Sequence, residues 1–210
     1  MKSAIRVMLA DDHTLVREGL KQLLAATADI RVEAEAASGD QALALAKSND
    51  YDLAVLDMSM PGLSGIELIK RLRLEKPRLR LLVLSMHGEA QYAARALKAG
   101  AAGYLTKDSA SAQLVSAIRK VAGGGVHISE AAAAQLVGSP NADVARHARL
   151  SNREFEVFRL LVQGRGPTEI ATQLHLSVKT VSTHKTRIFE KMGLESTADL
   201  VRYAVENQLT

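Results

Sequence analysis

Four charged residues and one hydroxyl fall at the ends of short apolar runs in the first half of the chain. Their types suit phosphoryl chemistry. Asp11 and Asp12 follow "AIRVMLA" (4–10), Asp57 closes "LAVLD" (53–57), Ser85 closes "LRLLVLS" (79–85) and Lys107 follows "GYLT" (103–106). Three carboxylates gathered in one place raise each other's pKa unless a cation joins them. All-oxygen ligation favours a hard ion, so the expected cofactor is magnesium, Mg²⁺, keeping several of its waters. Lys107 is a point charge suited to a phosphoryl oxygen, and the Ser85 hydroxyl can donate to another. Asp57 is then a carboxylate nucleophile that forms an acyl phosphate, with the transferring group stabilised mainly by charge. Singly, each residue has a plainer reading: Asp12 and Ser85 as helix caps, Lys107 as a solvated cation. The chemistry requires that they meet.

A parallel sheet would make them meet, because functional groups in such sheets lie beyond the carboxyl ends of the strands. The four runs above read as strands, and "IRVEAEA" (30–36) alternates apolar and polar residues as a half-exposed fifth. Between them lie helical patterns at 13–26, 40–48, 65–73, 89–100 and 111–125. Ser38 and Asp40 are cap candidates for the second of these, and Gly100 closes the fourth. Strands alternating with helices predict an α/β doubly wound five-stranded parallel sheet over residues 1–122.

The pattern then changes. Residues 123–148 read as a linker with a short Ala-rich helix candidate at 129–137, and 149–210 read as a small all-α domain with helices at 151–163, 167–174, 177–192 and 196–207. Ser177 is an N-cap candidate for the third of these. Val178, Val181, Ile188 and Met192 are expected to pack inward, leaving Lys179, Ser182, Thr183 and Thr186 on another face. Lys179, Lys185, Arg187 and Lys191 against Glu190 give that helix a net charge of +3. A helix, a tight break and a second cationic helix bearing short polar side chains suit the major groove of duplex DNA. An ordinary solvated basic helix is the plainer alternative.

Composition narrows the classes. The chain has 210 residues, 47% of them apolar, and a net charge of only +4, so nucleic-acid contact must come from a local patch. Cysteine is absent, which excludes disulfides, thiolate catalysis and Cys-based zinc sites. No tryptophan, four Tyr and three Phe leave little for stacking single-stranded bases. Neither a membrane span nor a signal peptide is expected, and the cytoplasm is the expected compartment.

The pattern "ADDH … VLDMSMPGLSG … VLSMH … GYLTK" resembles the receiver domain of bacterial two-component response regulators over roughly residues 4–122. That resemblance implies the flavodoxin-like version of the sheet and phosphorylation of Asp57 by the phosphohistidine of a sensor histidine kinase. It implies Mg²⁺ held by Asp11, Asp12, Asp57 and the backbone carbonyl of Ser59, and Ser85 and Tyr104 as a switch pair. Pro61 and Gly65 match the loop after the phosphorylated residue; where some receivers have Lys-Pro, this chain has Lys107-Asp108. "LSNREFEVFRLLVQG … EIATQLHLSVKTVSTHKTRI … KMGL" is similar to the LuxR-type helix-turn-helix domain over about 149–208. It implies Lys179, Thr180, Ser182, Thr183 and Thr186 as DNA-facing residues, with Lys185 and Arg187 as phosphate contacts. Thr168 stands where the family often has a lysine. Both halves together resemble the NarL/FixJ class, which implies a homodimer on phosphorylation, double-stranded DNA as partner, and RNA polymerase among the partners open to it. Three rivals remain. A Mg²⁺-dependent phosphohydrolase would want a second Asp where Ser59 stands. A ligand-sensing LuxR-type regulator would not gather the three aspartates. A phosphorylation-independent regulator would carry a vestigial receiver.

Overall fold

Strand β1 (Ile5–Ala10) is followed by α1 (Thr14–Ala25), β2 (Ile30–Ala36), α2 (Gly39–Ser48), β3 (Leu53–Asp57), α3 (Gly65–Glu75), β4 (Arg80–Ser85), α4 (Ala90–Lys98), β5 (Gly103–Thr106) and α5 (Lys107–Ala122). The computed structural model describes residues 4–60, 62, 63, 65–86, 90–129, 133, 146–174, 176–207 and 209. They divide into two units, Met1–Gly138 and Ser139–Thr210. The Ala-rich helix candidate at 129–137, Pro61 and His175 lie largely or wholly outside the described residues.

In the first unit all five strands are parallel, in the order β2-β1-β3-β4-β5. The order reverses between β1 and β3, the switch point at which such sheets open a crevice. One face packs Val7, Leu9, Leu53, Val55, Leu82 and Leu84 against Leu20 and Leu24 of α1 and Leu114, Ile118 and Val121 of α5. Helices α2, α3 and α4 contact one another in turn, and their buried residues Ala42, Leu68, Ile69, Leu72 and Ala96 cover the other face. All five residues of β3 are buried, as expected of a strand covered on both sides.

Two local features hold the loop after β3. A Cβ at Gly39 would overlap the Leu63 carbonyl, and one at Gly62, where φ is +76°, would overlap the Asp40 carboxylate. Only glycine permits that approach. Asp40 Oδ2 accepts from the Leu63 amide at 3.2 Å, so Asp40 ties down this loop, while Ser38 caps α2 by accepting from the Gln41 amide.

Helix α5 starts at Lys107, four residues before the expected 111. The stretch "KDSA" has no apolar periodicity to announce it, but the Thr106 hydroxyl accepts from the Ser109 amide at 3.3 Å and starts the helix there. The Lys107–Asp108 peptide is trans. Past α5, the chain lies along β5: the Tyr104 amide donates to the His127 carbonyl at 2.8 Å, and the His127 amide donates to the Ala102 carbonyl at 3.1 Å.

Among the described residues of the second unit, a 3₁₀ turn (Arg146–Arg149) is followed by α6 (Asn152–Val162), α7 (Pro167–Gln173), α8 (Val178–Met192) and α9 (Thr197–Glu206). These helices lie within a residue or so of the expected spans. The caps explain why: Ser151 with Glu154, Pro167 in the first turn of α7, Ser177 accepting from the Thr180 amide, Ser196 with Asp199, and Gly193 at φ +61° closing α8. The core joins Phe155, Phe158 and Leu161 of α6 to Ile170 of α7, Val181, Ile188 and Met192 of α8 and Leu200 and Ala204 of α9. No helix among the described residues is long and apolar enough to cross a membrane.

Candidate functional site

Asp11 and Asp12 leave the end of β1 as Asp57 leaves the end of β3 beside it. Asp57 is in register with Leu84, so Ser85 follows one residue beyond it on β4, buried. Lys107, the first residue of α5, reaches back over the strand ends. Its Nζ lies 2.6 Å from Asp11 Oδ2 and 3.1 Å from Asp57 Oδ2. Asp11 Oδ1 accepts from the His13 amide at 2.8 Å, and Asp57 Oδ1 accepts from the Ser59 amide at 3.3 Å. Arg17 Nη1 donates to the Asp11 carbonyl at 2.6 Å and fixes the backbone of the acidic turn.

The electrostatics are unbalanced. Burial pushes the Asp57 carboxyl above its ordinary value; Lys107 opposes this and Asp11 adds to it. Burial disfavours charge on Lys107 too, but the two carboxylates outweigh it and hold the ammonium protonated. Asp11 Oδ2, Asp12 Oδ1 and Asp57 Oδ2 are buried, and none accepts a well-aligned hydrogen bond. Three carboxylates against one ammonium leave two negative charges. Ligand atoms of Asp11, Asp12, Asp57 and also His13 all lie within 4.8 Å of one another. The residues therefore fit a divalent cation, and the oxygen-rich set fits a hard one.

In the second unit, α8 buries Val181, Ile188 and Met192 and leaves Lys179, Ser182, Thr183, Thr186 and Arg187 exposed, while Thr180 and Lys185 are half-buried. Lys185 Nζ stands 5.8 Å above the Phe189 ring. Val178 does not pack inward as expected: it is 45% exposed. It borders the apolar stripe and sits in the first turn of α8, left open by the described helices of its own unit. Glu154 of α6 braces α8 from below, its Oε2 accepting from Lys191 Nζ at 2.6 Å and from the Ser151 amide at 2.7 Å.

Residues 7–119 match the family described as "Response regulator receiver domain", and 148–204 match "Bacterial regulatory proteins, luxR family". "Response regulator UvrY" of Escherichia coli (strain K12) is 35% identical over 208 residues, covering 98% of this chain and 95% of that protein. The chain is a two-component response regulator. It belongs to the NarL/FixJ class, with a receiver domain followed by a LuxR-type DNA-binding domain. Among solved structures, the RcsB response regulator of Salmonella typhimurium aligns with TM-score 0.70 and 29% identity over 100% of both chains. RcsB of Salmonella enterica serovar Typhimurium, bound to promoter rprA in the presence of the phosphomimetic BeF3-, aligns with TM-score 0.63 and 28% identity over 96% of this chain and 98% of that one.

Of the expected site residues in this response regulator, Asp11, Asp12, Asp57 and Lys107 converge in one pocket, and Ser85 stands on the adjoining strand. Tyr104 lies buried on β5, in register with Val83. Ser59 is exposed, its amide on Asp57. His13 was not singled out by sequence reasoning. Its Nδ1 is 3.2 Å from Asp11 Oδ1 and 3.0 Å from Asp12 Oδ1; the signal was its place directly after the two aspartates.

Proposed function

We propose that Asp57 accepts a phosphoryl group from the phosphohistidine of a sensor histidine kinase and that phosphorylation controls a dimer that binds duplex DNA through α8. The supporting observation is the charge imbalance of the pocket: Asp57 is 2% exposed among two further carboxylates with one ammonium to offset them. In the transfer, an Asp57 carboxylate oxygen attacks phosphorus. The N–P bond breaks, the imidazole leaves with the electron pair, and an O–P bond forms. Lys107, already 3.1 Å from Asp57 Oδ2, is within reach of an oxygen of the bound phosphoryl group. Asp11, Asp12, Asp57 and the Ser59 carbonyl would hold Mg²⁺, which supplies positive charge to the phosphoryl oxygens. Ser85 on β4 and Tyr104 on the adjoining β5, two residues apart in register, are the pair we assign to sensing the modification, the hydroxyl turning to the phosphoryl group and the ring occupying the space behind it.

The modified state is favoured only as far as it binds its partners differently from the unmodified one. DNA would be contacted by Lys179, Thr180, Ser182, Thr183 and Thr186, with Lys185 and Arg187 toward phosphates. Two half-sites would match a two-fold dimer, and RNA polymerase is a further partner in this reading. The cytoplasm is where these partners meet. The test uses wild type and Asp57→Asn, each with and without acetyl phosphate and Mg²⁺, measuring mass in solution and binding to genomic fragments. Dimer formation and tighter specific binding in phosphorylated wild type alone is the expected result. Equal binding in all four samples would leave a DNA reader whose control lies elsewhere.

A further inference from the structure

The proton positions on the outer face of α8 are set by the helix itself. Ser182 Oγ lies 3.0 Å from the Val178 carbonyl, Thr183 Oγ1 3.0 Å from the Lys179 carbonyl, and Thr186 Oγ1 3.2 Å from the Ser182 carbonyl. A carbonyl cannot donate, so each hydroxyl directs its one proton back into the helix and turns lone pairs outward. Thr183 and Thr186 each add a methyl group. Val178 adds two, exposed in the first turn. A lone exposed valine is ordinary surface. This one begins a row: Val178, Ser182 and Thr186 follow one another at four-residue spacing, with Lys179 and Thr183 alongside. Over the first turns of these two rows the strong donor is the Lys179 ammonium; Arg187, one turn beyond Thr183, is the next.

A face of methyl groups and acceptors has a specific complement in the major groove. An A·T pair shows the thymine C5-methyl and the adenine N6 amino group, whereas a G·C pair shows two guanine acceptors and the cytosine N4 amino group but no methyl. We propose that α8 reads A·T pairs, with Val178 and Thr186 packing on thymine methyl groups and the Ser182 hydroxyl accepting from adenine N6. This rests on the reading above that α8 enters the major groove. A G·C pair offers the cytosine N4 amino group to Ser182 but no methyl group to Val178 or Thr186, so the methyl contacts carry the preference.

Thymine-to-uracil replacement tests this, because it deletes the methyl group and nothing else. The 210-residue chain, treated with acetyl phosphate and Mg²⁺, selects a site from duplexes with a random core. Each thymine of the selected site is then changed singly to uracil, and Kd is measured at fixed salt. One or two positions in each half-site should weaken binding about fourfold, the worth of one buried methyl group. In a Val178→Ala, Thr186→Ser variant the ratio of the two affinities should fall to one. Both side chains are exposed, and a melting curve checks that the variant folds. A selected site indifferent to every uracil, or a penalty that persists in the variant, overturns the proposal. Selection of no site at all would overturn the DNA-reading role itself, and this inference with it.

Discussion

Each unit of the molecule buries a carboxylate beside a lysine, and the two pairs are held in opposite ways. Glu154 accepts from the Ser151 amide, and Lys191 donates to it at 2.6 Å. Burial alone would raise its pKa, but Lys191 and Ser151 together outweigh burial and hold it below its ordinary value. Asp57 has Lys107 at 3.1 Å and a long contact to the Ser59 amide, shares its lysine with Asp11, and is held above its ordinary value. The difference teaches what each carboxylate is for. Glu154 is saturated by this chain's own donors and fixes α6 to α8. Asp57 is left short of donors by this chain, as the proposed metal and phosphoryl site requires.

The largest expected effect separates the two outright. Asp57→Asn should abolish acetyl phosphate-dependent phosphorylation, read by intact mass, and Glu154→Gln should leave it in place. Loss in both would show that the units do not divide the work this way. Next in size, saturating Mg²⁺ should protect the receiver alone, by about 2.7 kcal/mol at roughly 100 times its Kd. Equal protection of α6–α9 would point to non-specific binding.

Glu154→Ala removes the partner of the half-exposed Lys191 and the capping-box bond to the Ser151 amide, and should destabilise the helical unit by about 1–2 kcal/mol. Hydrogen exchange at the amides of α6 and α8 checks it; protection unchanged from wild type would mean the pair contributes little. Smallest is the effect of removing the strained charge itself: in EDTA, Asp57→Asn should stabilise the receiver by about 1 kcal/mol.

The pH dependence sharpens the contrast. Glu154 sits below its ordinary 4.5, so the unfolded chain takes up that proton first. Its stabilisation is present above that value and is lost as pH falls through the folded pKa. Asp57 sits above its ordinary 3.8, so the folded chain keeps a proton the unfolded chain would release. Its burden on folding is absent in acid and grows as pH rises through the folded pKa. The loss from Glu154→Gln and the gain from Asp57→Asn should therefore vanish together in acid and diverge, with opposite sign, as pH rises. Differences of the same sign would refute the assignment.

The convergence of Asp11, Asp12, Asp57 and Lys107 was legible because each ends or follows a strand, and parallel strands deliver such residues to one edge. Strand content and helical caps were equally legible, since Ser38 and Ser177 act locally. What was hidden depended on tertiary contact. The start of α5 is set by Thr106, which looks like the last residue of a strand. Val178 has the spacing of a core residue and lacks only a neighbour to cover it. Asp29, paired with Arg119 ninety residues away at 2.8 Å, carries no sign in the sequence of its distant partner. His13 could have been noticed, but one imidazole after two aspartates reads equally as a helix start.

The strand-like segment at His127 bears on how copies of this protein can meet. An open sheet has two edges, and an unpaired edge is a template for another chain's strand. Here the β5 edge is bonded on both sides of Gly103 by His127. The β2 edge alternates Arg31, Glu33 and Glu35, and Glu35 is tied to Arg17 and Lys21. Strand addition is discouraged at both, by backbone pairing at one and by charge at the other. In the dimer proposed above, receiver contacts would then fall to helix surfaces, where side chains decide the partner and the contact can be reversed.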